Sequence, residues 1–394
     1  MNICLVSIGF TPEDGGGIGT YIINLAKGLR QMGHNIFVIT RTYGGDKAEI
    51  VDGVRVYRYR SRYIPKLEKL LPNLEWSRFV SGKIEALDRE FGLDIIEFPN
   101  WEGVGFWYGG KKKRKPVVTR FHTPYFEMLT YDSKTQKVTL GDKFLCWLEK
   151  KASLSADAMV CSTRFHADFM IKSYGLEKNA IHILPLGIEL CAPPTGYGSH
   201  NDPLKILYVG RLEHRKGTMS LIQAIPQVCA EAGNVEFLIA GKDRAHAPGG
   251  ILHQEYFRQH YSQYGSKVKF LGFVPDEEVR RLYADCDIFV APSLYESFGL
   301  IYVEAMMNGK PVIGCRAGGI PEVVDHGQSG FLIEPDDDKA LARRIIELAR
   351  DYDLRVTMGK KARKLCEERF SFDIMAKNTE TFYKQVAGEH AKKS

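Results

Sequence analysis

The sequence has no long run of hydrophobic residues. No stretch approaches the roughly 20 apolar residues of a membrane-spanning helix, and residues 1–7 lack the basic start and the length of a secretory signal. The eight cysteines are scattered without a C-x-x-C pair, which argues against a disulfide framework and against a zinc site. We therefore expect a cytoplasmic protein with reduced thiols.

Two common nucleotide-binding patterns are also missing. No Walker A sequence occurs, and residues 15–19 only begin like the dinucleotide-binding pattern G-x-G-x-x-G, because Thr20 stands where its third glycine belongs. Arg41 follows the second predicted strand, where an acid would bind a ribose. NAD binding is therefore not expected. Gly16 and Gly17 instead predict a loop that approaches a phosphate or a sugar closely.

The excess of positive charge is confined to the first half. Residues 1–190 carry 27 Lys and Arg against 21 Asp and Glu, whereas residues 191–394 carry 27 of each. An acidic acceptor or peripheral contact with an anionic membrane would use this excess, and a solvated basic surface explains it equally well. The basic run 111–115 is most simply a solvated turn, with lipid-headgroup contact as the alternative. Nucleic acid is not expected, because no basic stripe interleaved with aromatic residues occurs.

The length and the order of predicted elements indicate two domains. Each half opens with an apolar strand, a glycine-containing loop, a helix and a second strand. These elements are residues 3–8, 20–31 and 35–40 in the first half, and residues 204–209, 218–232 and 235–240 in the second. Such alternation predicts an α/β protein with two Rossmann-like domains built on parallel sheets. The predicted order is a domain at 1–190, a linker at 191–203, a domain at 204–371, and a helix from 372 with a frayed tail from 387.

The segment 292–305 is the most informative, because it holds two glutamates eight residues apart. A predicted strand leads into a loop that contains Glu296 and Gly299, and a helix that carries Glu304 begins there. The free N–H groups of a helix start suit phosphate or sugar oxygens. The segment therefore predicts a sugar–phosphate pocket.

This segment resembles the E-x7-E motif of the GT-B, family 4-like retaining glycosyltransferases (glycosyl transferases group 1). The resemblance continues, in order, through residues 15–19, 121–123, 209–217, 270–275, 309–312 and 318–324, and covers about residues 1–380. It implies two Rossmann-like domains that face each other across a cleft, with the acceptor in the first domain and a nucleotide diphosphate sugar in the second. It also implies a last helix that crosses back to the first domain.

The resemblance assigns roles to single residues. Arg211 and Lys216 bind the donor diphosphate, where fixed cations stabilise the charge that develops on the leaving group. Glu296 contacts the donor sugar, Glu304 binds the ribose hydroxyls, and His122 lies beside the sugar in a positioning role. Main-chain groups complete the donor site, contributed by Val274, Phe298, Gly299 and Leu300.

The acceptor side is less defined. Trp101 and Tyr125 lie after predicted strands, and aromatic faces pack well on sugars, so both are acceptor candidates. For Trp101 a buried structural role is the alternative. The resemblance favours a UDP-sugar as donor and a GDP-sugar second, with a glycan, a lipid or a small molecule as acceptor. A nucleotide-sugar hydrolase or epimerase and a non-catalytic sugar-binding module are the rival functions.

Two D-x-D sequences imitate a metal motif of another glycosyltransferase fold. Residues 285–287 precede a strand, and residues 336–338 open a helix, where acids favour the positive helix end. We expect no metal and no cofactor. Two catalytic carboxylates, as in glycoside hydrolases, are not expected either, since eight helical residues span about 12 Å.

Overall fold

The structure, a computed structural model, describes residues 1–11, 16–60, 71–132, 138–192 and 202–393. These residues form two compact units. Unit 1 comprises Met1–Glu189 together with Ser371–Ser394, and unit 2 comprises Leu190–Phe370. Most of the predicted linker, residues 193–201, lies outside the described residues.

The described residues of unit 1 contribute eight strands to one sheet. They are β1 Asn2–Ser7, β2 Asn35–Thr42, β3 Lys47–Val51, β4 Val54–Arg60, β5 Ile95–Pro99, β6 Val117–Arg120, β7 Ala158–Cys161 and β8 Ile181–Ile183. Their order is β3-β4-β2-β1-β5-β6-β7-β8. The sheet is parallel, as predicted, except at the edge where β3 pairs antiparallel with β4. Asp52 and Gly53 form the turn between these two strands, and both have the positive φ that tight hairpin turns require.

Before residue 175, the part of unit 1 that the structure describes forms six α-helices. They are α1 Gly16–Gln31, α2 Leu71–Phe91, α3 Phe106–Gly109, α4 Tyr125–Asp132, α5 Leu140–Leu154 and α6 Arg164–Tyr174. The predicted start of the first helix at Thr20 was wrong, because the glycines themselves form its first turn, from Gly16 onward. Backbone N–H groups at the start of α1 therefore lie within the glycine segment.

Unit 2, as far as its residues are described, contains a sheet of six strands in which every strand pair is parallel. Its strands are β9 Leu204–Val209, β10 Val235–Ala240, β11 Val268–Gly272, β12 Ile288–Ala291, β13 Val312–Cys315 and β14 Gly330–Ile333, in the order β11-β10-β9-β12-β13-β14. Its helices are α7 Thr218–Glu231, α8 His253–His260, α9 Asp276–Asp285, α10 Leu300–Met307, α11 Ile320–Val323, α12 Asp338–Arg350 and α13 Tyr352–Arg369. The predicted strands and helix at the start of this unit are confirmed. Parallel strands bring the loops that follow β9, β10, β11 and β12 to one edge of the sheet.

The last helix, α14 Phe372–Lys393, belongs to unit 1. It packs closely on α1, where a Cβ on Gly28 would run into Ala376. The predicted frayed tail was wrong, because the helix continues to Lys393. His390 in its last turns contacts Asp157 at 3.0 Å and the Arg114 carbonyl oxygen at 3.0 Å, and these contacts hold the end of the helix.

Within the described residues, no helix combines the length and the apolar character that crossing a membrane requires. Each of the eight cysteines carries a free thiol.

Candidate active site

The loop after β9 places three basic residues at the carboxyl edge of the unit 2 sheet. Arg211 lies with its guanidinium 3.2 Å from Glu213, and Arg215 contacts the same buried carboxylate at 3.1 Å. Lys216 ends a short 3₁₀ turn, and Gly217 follows with a φ of 66°. A Cβ on Gly217 would run into the Pro292 carbonyl oxygen, so only glycine permits this close approach between the loops.

The structure brings the predicted site residues Lys216 and Glu296 into direct contact. The Lys216 ammonium lies 2.5 Å from Glu296 Oε1, and the Ser293 hydroxyl donates to the same oxygen at 3.0 Å. Arg215 lies 3.7 Å from the other carboxylate oxygen. The two loops, one from β9 and one from β12, therefore form a single charged cluster.

Burial and neighbouring charges have opposite effects on the pKa values of Lys216 and Glu296. Burial would raise the pKa of the Glu296 carboxyl, but the charges of Lys216 and Arg215 hold that pKa below its ordinary value. Burial lowers the pKa of Lys216, and its ion pair with Glu296 works against that shift. Glu296 is thus held ionised beside a cation from which water is partly excluded.

Glu213 and Arg215 escaped the sequence analysis, although their chemistry was visible in the alternation R-L-E-H-R. Glu213 is fully buried and contacts two arginines, and Arg215 also donates to the Tyr295 carbonyl oxygen at 3.2 Å. Arg244, from the loop after β10, lies 4.0 Å from Glu213. Glu213 is therefore the common anion that orders these arginines.

Glu304 has a different partner from Glu296. It lies on α10, and the Tyr283 hydroxyl of α9 donates to its Oε2 at 2.9 Å. Burial raises the pKa of Glu304, and the Tyr283 hydrogen bond only partly offsets that effect. Tyr283 leaves the other carboxylate oxygen of Glu304 available to a ligand.

The remaining donor-site candidates fit main-chain roles. The side chains of Phe298 and Leu300 are buried, and the Phe298 ring packs edge-on against Phe370 at 5.6 Å. Gly299 caps α10 with a φ of 94° and provides no side chain to occupy the first N–H groups of the helix. Val274, between β11 and α9, is partly exposed.

The neighbour of Val274 was also missed by the sequence analysis. Phe273 is 56% exposed, and the Lys242 ammonium lies 4.8 Å from its ring centre. An exposed aromatic ring in a loop at this edge can stack on a planar ligand. The available signal in the sequence was an aromatic residue between Gly272 and the site candidate Val274.

In unit 1, His122 follows β6 and is held by its backbone. Its N–H donates to the Asn100 side-chain oxygen at 2.8 Å, and its ring lies 5.6 Å from that of Tyr21. Burial, the Arg120 charge and His166 lower the pKa of His122 to about 3, so the imidazole is neutral at physiological pH. A neutral imidazole can accept or donate one hydrogen bond to a sugar hydroxyl.

A buried hydrogen-bond network fixes the ring of Tyr21, which lies against the His122 ring. The Tyr21 hydroxyl donates to Glu97 at 2.6 Å, and Arg120 contacts the same oxygen at 3.2 Å. The Tyr383 hydroxyl of α14 donates to the other Glu97 oxygen at 2.8 Å. The last helix therefore contributes to the support of the His122 environment.

The acceptor candidates Trp101 and Tyr125 lie together at the same edge of the unit 1 sheet. Their rings pack edge to face with centres 6.5 Å apart, and both are partly exposed. Trp101 is thus only partly buried, and both of its expected roles, acceptor contact and structural packing, stay predictions. The Tyr125 hydroxyl donates to Asp142 of α5 at 2.8 Å, which fixes the ring.

Glu149 of α5 joins the loops that carry these two aromatic residues. One of its oxygens accepts from the Glu102 N–H and the other from the Tyr125 N–H, both at 2.9 Å. The carboxyl group is fully buried. Burial raises its pKa to about 8, although the two N–H donors act in the opposite direction.

Two family models match the chain, one for each half. "Glycosyltransferase Family 4" matches residues 15–191, and "Glycosyl transferases group 1" matches residues 195–365. The chain belongs to these glycosyltransferases. The predicted family is thereby confirmed.

Several proteins resemble this glycosyltransferase along its whole length. An uncharacterized glycosyltransferase of Methanocaldococcus jannaschii is 29% identical over 98% of both chains. A D-inositol 3-phosphate glycosyltransferase of Corynebacterium kroppenstedtii is 26% identical over 95% of this chain and 86% of its own.

Solved structures show the same fold. Sucrose-phosphate synthase from Thermosynechococcus elongatus has a TM-score of 0.79 at 22% identity, over 98% of this chain and 99% of its own. Anabaena HepE, solved with UDP and glucose, has a TM-score of 0.68 at 20% identity, over 97% and 99%. These likenesses confirm the predicted GT-B fold.

Within each unit, the glycosyltransferase brings some predicted site residues together and leaves others apart. In unit 2, Lys216 contacts Glu296, whereas Arg211 contacts Glu213 and Glu304 contacts Tyr283. In unit 1, Gly16 and Gly17 are exposed at the start of α1, and a Cβ on either would meet no described atom within 4 Å outside the first turns of α1. Gly15 lies outside the described residues.

The D-x-D sequences of the glycosyltransferase have structural roles. Asp337 caps α12 by accepting from the Ala340 N–H at 2.7 Å, as predicted, and Asp287 accepts from the Lys205 N–H at 2.8 Å. Among the described residues, no group of three or more His, Cys, Asp and Glu has the arrangement of a metal site.

Glu149 makes the stability of this glycosyltransferase depend on pH. Its pKa is about 8 in the folded protein and about 4.5 when exposed, so the folded protein binds the extra proton between these pH values. The wild type should therefore lose free energy of unfolding as pH rises from about 4.5 to about 8, and Glu149→Gln should lose less. Urea unfolding across this range measures the difference, and parallel plots of unfolding free energy against pH for both proteins would contradict it.

Glu149→Leu leaves two buried N–H groups without acceptors. It should lower the free energy of unfolding by about 1–3 kcal/mol for each group.

Proposed function

We propose that this glycosyltransferase transfers a hexosyl or N-acetylhexosaminyl group from a nucleotide diphosphate sugar to a hydroxyl group. The acceptor is a glycan, a lipid or a small molecule. The reaction retains the configuration of the anomeric carbon and needs no metal ion, as the family resemblance implies. Unit 2 binds the donor and unit 1 binds the acceptor.

The charge balance at the carboxyl edge of the unit 2 sheet carries this proposal. Four cationic side chains, those of Arg211, Arg215, Lys216 and Arg244, surround only two carboxylates, those of Glu213 and Glu296. Among these described side chains the cations outnumber the carboxylates by two, so the cluster has a net positive charge. A donor diphosphate carries about two negative charges, which increase on one phosphate as the sugar leaves, so the cluster stabilises the transition state more than the ground state.

The nucleoside and the sugar are held beside this cluster. Glu304 offers one carboxylate oxygen to the ribose, because Tyr283 occupies the other. Glu296 is shared between Lys216 and the sugar hydroxyls, so the group that binds the sugar also positions the cation that binds the phosphate. The N–H groups at the start of α10 add donors for phosphate or sugar oxygens.

The chemical step is a front-face displacement. The acceptor oxygen bonds to the anomeric carbon while the bond from that carbon to the phosphate oxygen breaks, and the acceptor proton passes to the leaving phosphate. Lys216 neutralises the phosphate during this step. In unit 1, the neutral His122 can exchange one hydrogen bond with a sugar hydroxyl. A trapped covalent glycosyl-enzyme intermediate would refute this route.

A UDP-sugar is the preferred donor and a GDP-sugar the second choice. HepE, of the same fold, was solved with UDP and glucose, whereas a starch synthase of that fold was solved with ADP and acarbose. Several corynebacterial relatives are D-inositol 3-phosphate glycosyltransferases, so this sugar alcohol phosphate is the first small acceptor to test.

Thermal unfolding with UDP-, GDP-, ADP- and TDP-sugars tests the donor. A ligand at 100 times its Kd stabilises a protein by about 2.7 kcal/mol, so the correct donor should raise the Tm by several degrees and the others should not. A radiolabelled sugar should then pass to an acceptor with retention, which NMR of the product reports. Absence of a shift with every donor would contradict the proposal. Donor turnover at full rate without an acceptor would instead indicate a hydrolase or epimerase.

A further inference from the structure

The outer side of α5 exposes apolar residues at helical spacing. Leu140, Phe144, Trp147 and Leu154 follow one face of the helix. Leu140 is 83% exposed and Trp147 is 46% exposed. The inner side of α5 is also apolar and packs in unit 1, so the helix does not need these outer residues for the core.

The neighbouring helix α3 extends this surface. Trp107 is 42% exposed, and Phe106 packs against both Trp107 and Trp147, with ring centres 5.9 and 5.8 Å away. The Phe144 ring stacks on Trp147 at 5.6 Å. We name this surface, formed by Leu140, Phe144, Trp147 and Leu154 of α5 with Phe106 and Trp107 of α3, the aromatic face.

The acidic and basic residues of α5 lie on opposite sides of the helix. Its acids, Asp142 and Glu149, are both buried on the inner side. Its basic residues Lys143 and Lys151 are exposed, and Lys150 is partly exposed. Neither Lys143 nor Lys151 has an ion pair with another described residue, so the outer side is purely cationic.

The basic run after α3 adds to this charge at one end of α5. Arg114 donates to the Ser155 carbonyl oxygen at 2.8 Å, which holds the run against the carboxyl end of α5. Three members of the run have acidic partners, since Lys111, Arg114 and Lys115 contact Glu85, Asp157 and Asp88 respectively. Lys112 and Lys113 are exposed. The run therefore contributes two outward charges beside the aromatic face, instead of five.

We propose that the aromatic face and its lysines bind the surface of an anionic lipid bilayer. Tryptophan and phenylalanine insert at the boundary between headgroups and acyl chains, and lysines around them are attracted to anionic headgroups. A second copy of this chain fits the surface less well, because a symmetric dimer would bring two surfaces of the same positive charge together. The charge pattern therefore selects an anionic lipid surface.

The position of α5 connects this surface with the candidate acceptor residues. On its inner side, Asp142 and Glu149 hold Tyr125 and the loop that carries Trp101. The bilayer would therefore lie on the opposite side of one helix, whose diameter is about 10–12 Å with side chains. An amphiphilic acceptor, with its reactive hydroxyl near the headgroups, suits this arrangement. This consequence rests on the proposed function, whereas lipid binding itself does not.

Co-sedimentation of the full chain with vesicles tests the surface, without donor or acceptor. Binding is expected to vesicles of phosphatidylcholine mixed with phosphatidylglycerol, to be much weaker with phosphatidylcholine alone, and to weaken as salt screens the headgroup charge. Because no sugar nucleotide is present, failure here would leave the donor experiments unaffected.

Paired variants locate the binding. Trp147→Ser should weaken binding about tenfold, and Lys143→Ser with Lys151→Ser about fivefold for each lysine. Ile50→Ser, at an apolar residue 72% exposed on β3, and Lys172→Ser with Lys178→Ser on the same unit are matched controls that should bind like the wild type. Circular dichroism verifies that each variant is folded.

Three outcomes would overturn the proposal. They are no binding to either vesicle, equal binding by Trp147→Ser and the wild type, and a concentration-dependent dimer in sedimentation equilibrium that Trp147→Ser abolishes. The last outcome would mean that a second copy covers the aromatic face.

Discussion

Lys216→Ala is expected to lower the kcat of sugar transfer by about 10²- to 10³-fold, the range for the loss of one group that stabilises transition-state charge. The Lys216 ammonium is partly buried and lies 2.5 Å from Glu296, so it is held in place before a donor binds. A fixed cation requires little reorganisation as the negative charge grows on the leaving phosphate. KM for the donor should change less than kcat, because most of the benefit arises in the transition state.

The variant also leaves Glu296 without its closest cation, and this second effect can be separated. Lys216→Ala combined with Glu296→Gln removes the unpaired charge, and it should not recover activity if the ammonium acts on the phosphate. Recovery in the double variant would contradict the role of Lys216. Lys269→Ala is the matched control, since Lys269 also lies 2.5 Å from a glutamate but is exposed on β11. Its kcat should equal that of the wild type.

Glu304→Gln is expected to weaken the binding of the nucleoside diphosphate about 10- to 100-fold, because a hydrogen bond to a charged group contributes about 1.5–3 kcal/mol. The free, negatively charged oxygen of Glu304 accepts from the ribose hydroxyls, whereas the glutamine amide is neutral and has a single acceptor oxygen for both Tyr283 and the ribose. The thermal shift caused by UDP or GDP should therefore almost disappear in the variant. Titration calorimetry gives the Kd directly.

The pKa of Glu304 adds a second readout. Burial raises that pKa, so in the acid range the group is partly protonated and binds a diol less well. Nucleotide affinity should therefore rise with pH in the wild type and stay nearly constant in Glu304→Gln. Tyr283→Phe removes the donor that holds the carboxylate and should give a smaller loss than Glu304→Gln. Glu278→Gln, at an exposed position of α9, is the control, and an equal loss there would disprove the ribose role.

Much of the fold was predictable because its signals are local. The strand at 204–209 is apolar except for Lys205, and the helix that follows begins after Gly217, so the predicted and observed bounds nearly agree. The end of α14 was not predictable in the same way. A polar tail is expected to fray, but His390 binds Asp157, which lies far from it in the sequence.

In the candidate site, too, some residues were predictable from local sequence and others were not. Arg211, Lys216, Glu296 and Glu304 belong to motifs whose spacing is visible in the sequence. Their partners are not, since Glu213 and Arg215 look like ordinary members of a charged loop until burial and distances are known. Tyr283 is separated from Glu304 by a strand and a loop, and only packing of α9 beside α10 joins them.

The sequence by itself determined the family, the alternation of strands and helices at the start of each half, and the residues that are expected to hold the donor. These features depend on motif order and on apolar periodicity, which are properties of the chain alone. The tertiary structure decided which charges are paired and which side of α5 is exposed. Both sides of that helix carry apolar residues, so the helical spacing of apolar residues does not show which side packs into the core. Packing of Leu145 and Leu148 into unit 1 makes the selection and leaves Trp147 and the lysines outside.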